Sequence, residues 1–311
     1  MLSLPRLRLL SELHRRGTIA ATAKALAYTP SAVSQQLAQL ERETSVPLLE
    51  RVGRGVRLTP DAVTLVAHAD AVFARLEQAE ADLATAQPEL RGTLRVASFQ
   101  SVVLALAPAA LRLLGERHPQ LRVDITQREV VPAYEGLLSY DFDLILGEEY
   151  PGLVGKAPDG VDRADLLADP LCLVLPATGP YATRPHRLAD LADTPWALDP
   201  ADTPTGQWAR TICRRAGFEP RVQFDSPDPL LHAHLARSGL AAAVVPALLA
   251  AEHLAGTRLV SLPGDPHRML YTAVRAGRAA HPAVRAFREA LADALAAQKP
   301  ASPSWAVVLD G

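Results

Sequence analysis

The residues of this chain best suited to chemistry are hydrogen-bonding rather than nucleophilic. Thr29 is a good helix N-cap and Pro30 a good first helical residue, so a helix is predicted to start at Thr29-Pro30. At about 100° per residue, Val33, Leu37 and Leu40 fall on one side of it, and Ser31, Gln35, Ala38 and Arg42 on the other, flanked by Ser34 and Gln39. Glutamine can bond adenine through two hydrogen bonds, serine can bond several bases, and alanine can touch a thymine methyl, so this face suits base edges in a major groove. Taken alone, it fits an ordinary solvated helix face equally well. The segment Arg51-Val52-Gly53-Arg54-Gly55-Val56-Arg57-Leu58 tips the balance, because its glycines and alternation predict a small β-wing carrying an arginine at every third position. Arginines on a wing meet phosphate or enter the minor groove. The candidate DNA contacts are therefore Thr29, Pro30, Ser31, Ser34, Gln35, Gln39, Arg42, Arg51, Arg54 and Arg57.

Covalent and metal chemistry find little footing. The chain has no P-loop spacing, no GxGxxG opening a helix, no GxSxG and no HExxH. His232 and His234 lie two apart, so on a helix they point in different directions, and neither a cofactor nor a metal is expected. Glu148-Glu149 could titrate beside a cleft or be simply solvated. Cys172 and Cys213 are too few for a disulfide scaffold and suit a reducing compartment, either as buried apolar side chains or as a redox-sensing pair.

The elements that must position these residues follow from pattern. A length of 311 residues implies more than one globular unit, and 49% hydrophobic with 21% charged residues is ordinary for a folded protein. The first sixty residues carry nine basic side chains against four acidic ones, although the whole chain is at −2, which suggests a DNA-facing end on an acidic body. Arg6 and Arg8 interrupt the apolar N-terminus and no run approaches membrane-spanning length, so a cytoplasmic protein is expected. One helix is predicted over Leu4–Arg16 with Gly17 as its C-cap, and a second from Ile19 to Leu26 capped by Thr18. With the Thr29-Pro30 helix and the wing these make a winged helix-turn-helix over residues 1–59. Thr59-Pro60 opens a fourth helix predicted to reach about Gln87, where Pro88 ends it. Its seam of Ala62, Leu65, Ala69, Val72, Leu76, Ala79, Leu83 and Ala86 is a heptad pattern, so the stripe wants either a second subunit or its own chain. Residues 60–90 are assigned to this linker.

Residues 91–300 alternate strands and helices, with strands predicted at Thr93–Ala97, Leu121–Gln127, Leu144–Leu146, Leu171–Leu175, Trp196–Leu198, Ala241–Val245 and Leu270–Val274, the pattern of an α/β unit with parallel strands. In such sheets ligands sit beyond the carboxyl ends of strands. The candidates there are Ser98, Gln100 and Ser101, then Gln127 and Glu129, then Asp199, Thr203 and Thr205, with Ser101, Gln127 and Thr203 foremost. Their hydroxyls and amides suit a small organic anion or an amino acid, whereas Ser98, Ser101, Thr203 and Thr205 could equally serve only as helix caps. Residues 301–311 form an unassigned tail.

Residues 7–66 resemble the DNA-binding domain of LysR-type transcriptional regulators through Gly17-Thr18-Ile19-Ala20-Ala21-Thr22-Ala23, Ser31-Ala32-Val33-Ser34-Gln35-Gln36-Leu37, Leu40-Glu41, Leu48-Leu49-Glu50-Arg51 and Val56-Arg57-Leu58-Thr59-Pro60. The chain departs from that pattern at Pro30, where the family often has Gln, and at Thr44-Ser45, Leu49 and Asp61-Ala62. The body resembles the family's effector-binding domain through Gly92-Thr93-Leu94-Arg95-Val96, Tyr140–Leu146, Asp169–Pro176 and Ser238–Pro246. The resemblance implies a periplasmic-binding-protein-like fold of two subdomains, about 91–166 with 268–300 and about 167–267, enclosing a cleft. It also implies a homodimer or homotetramer joined through the linker helix, with double-stranded DNA, a small-molecule effector and RNA polymerase as partners. The alternative is a small-molecule-binding protein or enzyme of the same fold with an accessory DNA-binding domain.

Overall fold

The computed structural model describes residues 2–53, 55–153, 155 and 157–297; Arg54 and the 301–311 tail lie outside them. Helices α1 (Leu4–Arg16), α2 (Ile19–Ala25) and α3 (Pro30–Thr44) are followed by an antiparallel hairpin of β1 (Leu49–Val52) and β2 (Gly55–Leu58). Each helix start is made locally. Thr18 and Thr29 accept hydrogen bonds from the amides of Ala21 and Ala32, and Gly17, at φ +72°, closes α1 through its amide to the Leu13 carbonyl. Leu7, Leu10, Leu13, Val33, Leu37 and Leu40 form one apolar core. The Glu41 carboxylate accepts the amides of Leu48 and Leu49 at 2.8 and 3.0 Å, so α3 also fixes the root of the wing.

Helix α4 (Pro60–Thr85) stops two residues short of the predicted end. Its seam does not act as one stripe. Ala62 and Ala69 are buried, and Leu65 half-buried, in the core of their own N-terminal domain, whereas Val72, Leu76 and Leu83 are 43%, 44% and 71% exposed. The heptad spacing is real, but two different surfaces share it.

The body is built from β3 (Gly92–Ser98), α5 (Gln100–Ala105), α6 (Ala107–Arg117), β4 (Leu121–Gln127), α7 (Val130–Leu138), β5 (Leu144–Glu149), β6 (Val161–Leu175) and β7 (Pro195–Leu198). It continues through α8 (Pro204–Arg215), β8 (Arg221–Asp225), α9 (Pro229–Arg237), β9 (Ala242–Pro246), α10 (Ala250–His253), β10 (Arg258–Ser261), β11 (His267–Arg275) and α11 (Pro282–Ala297). The strands follow the order β4-β3-β5-β11-β6-β9-β7-β8, with β10 also on β6. The β4-β3-β5 and β9-β7-β8 sets are parallel as expected, but β11 runs antiparallel to both β5 and β6, and β6 antiparallel to β9, so the sheet is mixed rather than all parallel. Strand β6 begins ten residues before the predicted Leu171, because Asp162, Arg163 and Asp165 hide its pattern; Asp162 and Arg163 are held by Arg288 and Glu149. Its first part pairs with β11 in one lobe, and its last residues pair with β9 and β10 in the other.

The linker helix is fastened to the first lobe. Glu77 on α4 receives Arg275 Nε at 2.7 Å, both side chains being nearly buried, and Arg275 Nη1 donates to the Phe142 carbonyl at 2.7 Å. The Arg275 guanidinium lies 4.2 Å from the ring centroid of Tyr140, whose other neighbours are Phe73 and Arg8. In the turn after β11, a Cβ on Gly277 would collide with the Ala74 carbonyl of α4, so only glycine permits this approach.

Candidate DNA-binding surface and effector cleft

On α3, Ser31, Ser34, Gln35 and Arg42 are exposed over the buried Val33, Leu37 and Leu40, and Gln39 is half-buried beside them. Thr29 uses its hydroxyl oxygen to cap the helix, Ser34 Oγ donates to the Pro30 carbonyl at 3.0 Å, and Arg42 donates to Gln39 Oε1 at 2.6 and 3.0 Å. The Gln35 amide has no hydrogen-bond partner among the described residues. On the wing, Arg51 is exposed in β1, and Arg57 in β2 pairs with Glu50 at 3.0 Å while remaining 70% exposed. Pro30 opens the helix without an amide to donate.

The second site lies where the carboxyl ends of β3, β5, β7 and β9 meet between the two lobes. Of the residues proposed from sequence, Gln100, Ser101, Glu129, Asp199 and Thr205 line this cleft. Ser98, Gln127 and Thr203 do not. Ser98 is fully buried with its hydroxyl donating to the Phe99 carbonyl; Gln127 is exposed at the end of β4; and Thr203 caps α8 by accepting from the Gly206 amide at 3.1 Å. Ser101 is present but engaged, since its hydroxyl accepts from Arg268 Nη2 at 2.9 Å. Gln100 reaches across the cleft, donating to Asp228 Oδ1 at 3.0 Å, and that carboxylate in turn caps α9 at the Leu230 amide.

Sequence reasoning missed the centre of the site. Arg268, on β11 and 2% exposed, donates to Asp169 at 2.7 and 2.9 Å and to Glu148 at 2.6 Å. Glu148 is thus no solvated loop carboxylate: it lies on β5, lines the cleft and also accepts from the Tyr150 hydroxyl at 3.2 Å. The two acids around Arg268 raise the already high pKa of its guanidinium despite burial, which keeps it charged.

Asp199 sits at the end of β7, where the start of α8 approaches so closely that a Cβ on Gly206 would collide with the Pro200 carbonyl. Burial, followed by the charges of Glu148 and Glu129, pushes the Asp199 carboxyl up to about 7. Partial desolvation and the charge of Glu148 raise Glu129 as well. Among the described residues no group of three His, Cys, Asp or Glu side chains could hold a metal ion. His234 is exposed, whereas His232 is buried with Nε2 2.8 Å from the Ser226 carbonyl. Cys172 and Cys213 are both buried, and burial pushes each thiol up to about 12, so neither supplies the thiolate that a redox-sensing pair needs.

Comparison with known proteins supports both halves of this architecture. The family described as "Bacterial regulatory helix-turn-helix protein, lysR family" matches residues 4–63, and "LysR substrate binding domain" matches residues 87–296. The chain is 31% identical to the RuBisCO operon transcriptional regulator of Allochromatium vinosum, over 92% of this chain and 94% of that one. It is 25% identical to the transcriptional dual regulator GltC of Bacillus subtilis, over 70% and 71% of the two chains. A full-length OxyR variant from Pseudomonas aeruginosa shares the fold at a TM-score of 0.62 and 21% identity, covering 94% of this chain and 98% of that one. CbnR, a LysR family transcriptional regulator, does so at 0.53 and 22%, covering 93% and 99%.

Proposed function

Because the chain belongs to the LysR-type transcriptional regulators, DNA-binding proteins with an effector-binding domain, we propose that α3 and the β1-β2 wing read operator DNA under control of a small molecule held in the cleft between the lobes. The observation that carries this reading is the exposed polar face of α3, rigidly backed by Val33, Leu37 and Leu40 and flanked by wing arginines. In this reading Gln35, whose side-chain amide is free of intrachain bonds, reads a base edge with help from Ser31, Ser34 and Gln39, while Arg42, Arg51 and Arg57 meet the DNA backbone. No catalytic step belongs to it. Among the described residues no helix is long and apolar enough to cross a membrane, and the protein acts in the cytoplasm where its DNA lies.

Footprinting on genomic DNA tests the proposal, which fails if no duplex is protected in preference to random sequence. Gln35→Ala is expected to relax selectivity at one base position by about 1–3 kcal/mol, or roughly 5- to 150-fold. Arg57→Ala should weaken all sequences alike and lower the salt slope by about one. An unchanged base preference in Gln35→Ala would move the reading face elsewhere on α3.

The exposed apolar residues of α4 support a homodimer, or a tetramer made of two, that presents two α3 helices to paired half-sites. Contact with RNA polymerase would then follow from the arrangement of subunits on DNA. Val72→Asp with Leu76→Asp is expected to give a monomer in sedimentation at micromolar concentration, with the fold intact because both side chains are already solvent-facing. A dimer that survives this double substitution would place the interface off α4.

A further inference from the structure

The cleft holds more negative charge than its own residues neutralise. Glu129, Glu148 and Asp199 line it, and Arg268 is the cation among the lining residues. That guanidinium is already committed to Asp169, Glu148 and Ser101. Arg210, the next cation on the α8 side, spends its Nη1 on the carbonyls of Asp199 and Gly206 and lies 3.5 Å from Asp225. An anionic ligand would therefore meet like charge with no free cation to receive it.

A second observation, independent of the carboxylates, points the same way. His232 is 1% exposed, and its Nδ1 is a buried atom with no hydrogen-bond partner. Since Nε2 faces the Ser226 carbonyl, which can only accept, Nε2 carries the ring proton and Nδ1 presents a lone pair. Burial lowers the pKa of this histidine, which keeps the ring neutral. Nδ1 lies 4.0 Å from Oδ2 of Asp199, a cleft-lining residue, too far for a direct hydrogen bond, so whenever Asp199 is ionised two acceptors stand side by side with no donor between them. A group with several N–H bonds satisfies both at once. The open volume of the cleft is about 40 Å³, room for a small head group, and Phe99, Tyr150, Pro227 and Val244 give apolar and aromatic walls that favour an organic cation.

We propose that the effector of this protein carries a protonated amine, whose ammonium group is seated among Asp199, Glu129 and Glu148 with its alkyl part against the prolines and Val244. The inference rests on the cleft being the effector site, and it selects, from the organic anion and amino acid considered above, a ligand that brings positive charge.

The test is calorimetric titration of the full-length protein with 1,4-diaminobutane and lysine as cationic probes, 1,4-butanediol as the neutral isostere and succinate as the anion. The cations should bind at least tenfold more tightly than the diol and succinate. Asp199→Asn and, separately, Glu129→Gln, which is at the rim and should not disturb folding, should each weaken the cations at least tenfold. Thr205→Trp, which fills the cleft, should abolish binding. Succinate binding that Thr205→Trp removes, with no cation bound, would overturn the charge assignment while leaving the cleft as the effector site. Cation binding that survives Thr205→Trp would overturn both. Cation binding unchanged in Asp199→Asn and Glu129→Gln, or binding by none of the four probes, would overturn the proposal.

Discussion

Replacing Arg268 by alanine is expected to destabilise the protein by about 3–5 kcal/mol, the cost of leaving buried acids without their counter-ion. Arg268 and Asp169 are each 2% exposed at the side chain and share two hydrogen bonds, while Glu148 and Ser101 lose partners in the same substitution. Leu248 donates its amide to the other Asp169 oxygen, so the disturbance spreads to the end of β9. Thermal unfolding followed through Trp196 and Trp208, both buried in the second lobe, should shift down by roughly 6–20 °C. Arg268→Met paired with Asp169→Leu should recover part of that loss, since it removes the buried Asp169 charge and leaves Glu148 with the Tyr150 hydroxyl alone. A midpoint of Arg268→Ala within 2 °C of the parent, about 1 kcal/mol or less, would show that the cluster is not the keystone of the cleft floor.

Arg275→Ala is expected to be comparably severe but local, releasing the linker helix instead of unfolding the lobes. It strands Glu77 on α4 and leaves the Leu137 and Phe142 carbonyls without their donor, again about 3–5 kcal/mol for a buried pair broken on one side. Hydrogen exchange should rise in the C-terminal half of α4 and around Tyr140, with the β3-β5 core protected as before. Operator binding should persist, because the α3 face and the wing are untouched, whereas its dependence on effector should collapse from the ~5- to 150-fold usual for such coupling toward unity. Glu77→Leu combined with Arg275→Leu should restore protection of α4. Full effector response in Arg275→Ala would mean that the signal bypasses this contact.

The parts of the molecule that could be read from sequence are those settled by near neighbours. The starts of α2, α3 and α4 were legible because Thr18, Thr29 and Thr59 each cap an amide three residues on. The seam of α4 was half legible: a seven-residue period reveals an apolar stripe but not whose surface covers it, and Ala62 and Ala69 turned inward while Val72, Leu76 and Leu83 did not. The centre of the cleft was illegible because it is assembled from a distance. Arg268 meets Asp169 99 positions away and Glu148 120 positions away, and a lone arginine before an apolar strand carries no local sign of either partner. Thr203 misled in the opposite sense, its hydroxyl being fully explained by the cap it makes. His232 offers no metal pair with His234 at a spacing of two, and only the fold shows its unpaired nitrogen near Asp199.

Strands β6 and β11 pair within the first lobe up to Pro170 and His267, with a register break between Leu270 and Tyr271, and at that end both chain segments pass into the second lobe. Two neighbouring chain segments crossing at one place would act as a leaf spring between the lobes. The Glu77–Arg275 clamp and the Gly277–Ala74 contact fix the DNA-binding end to the lobe on one side of that spring. A ligand that drew the cleft shut would then leave that arm stationary and swing the other, delivering the output of each subunit through whatever its second lobe pushes against.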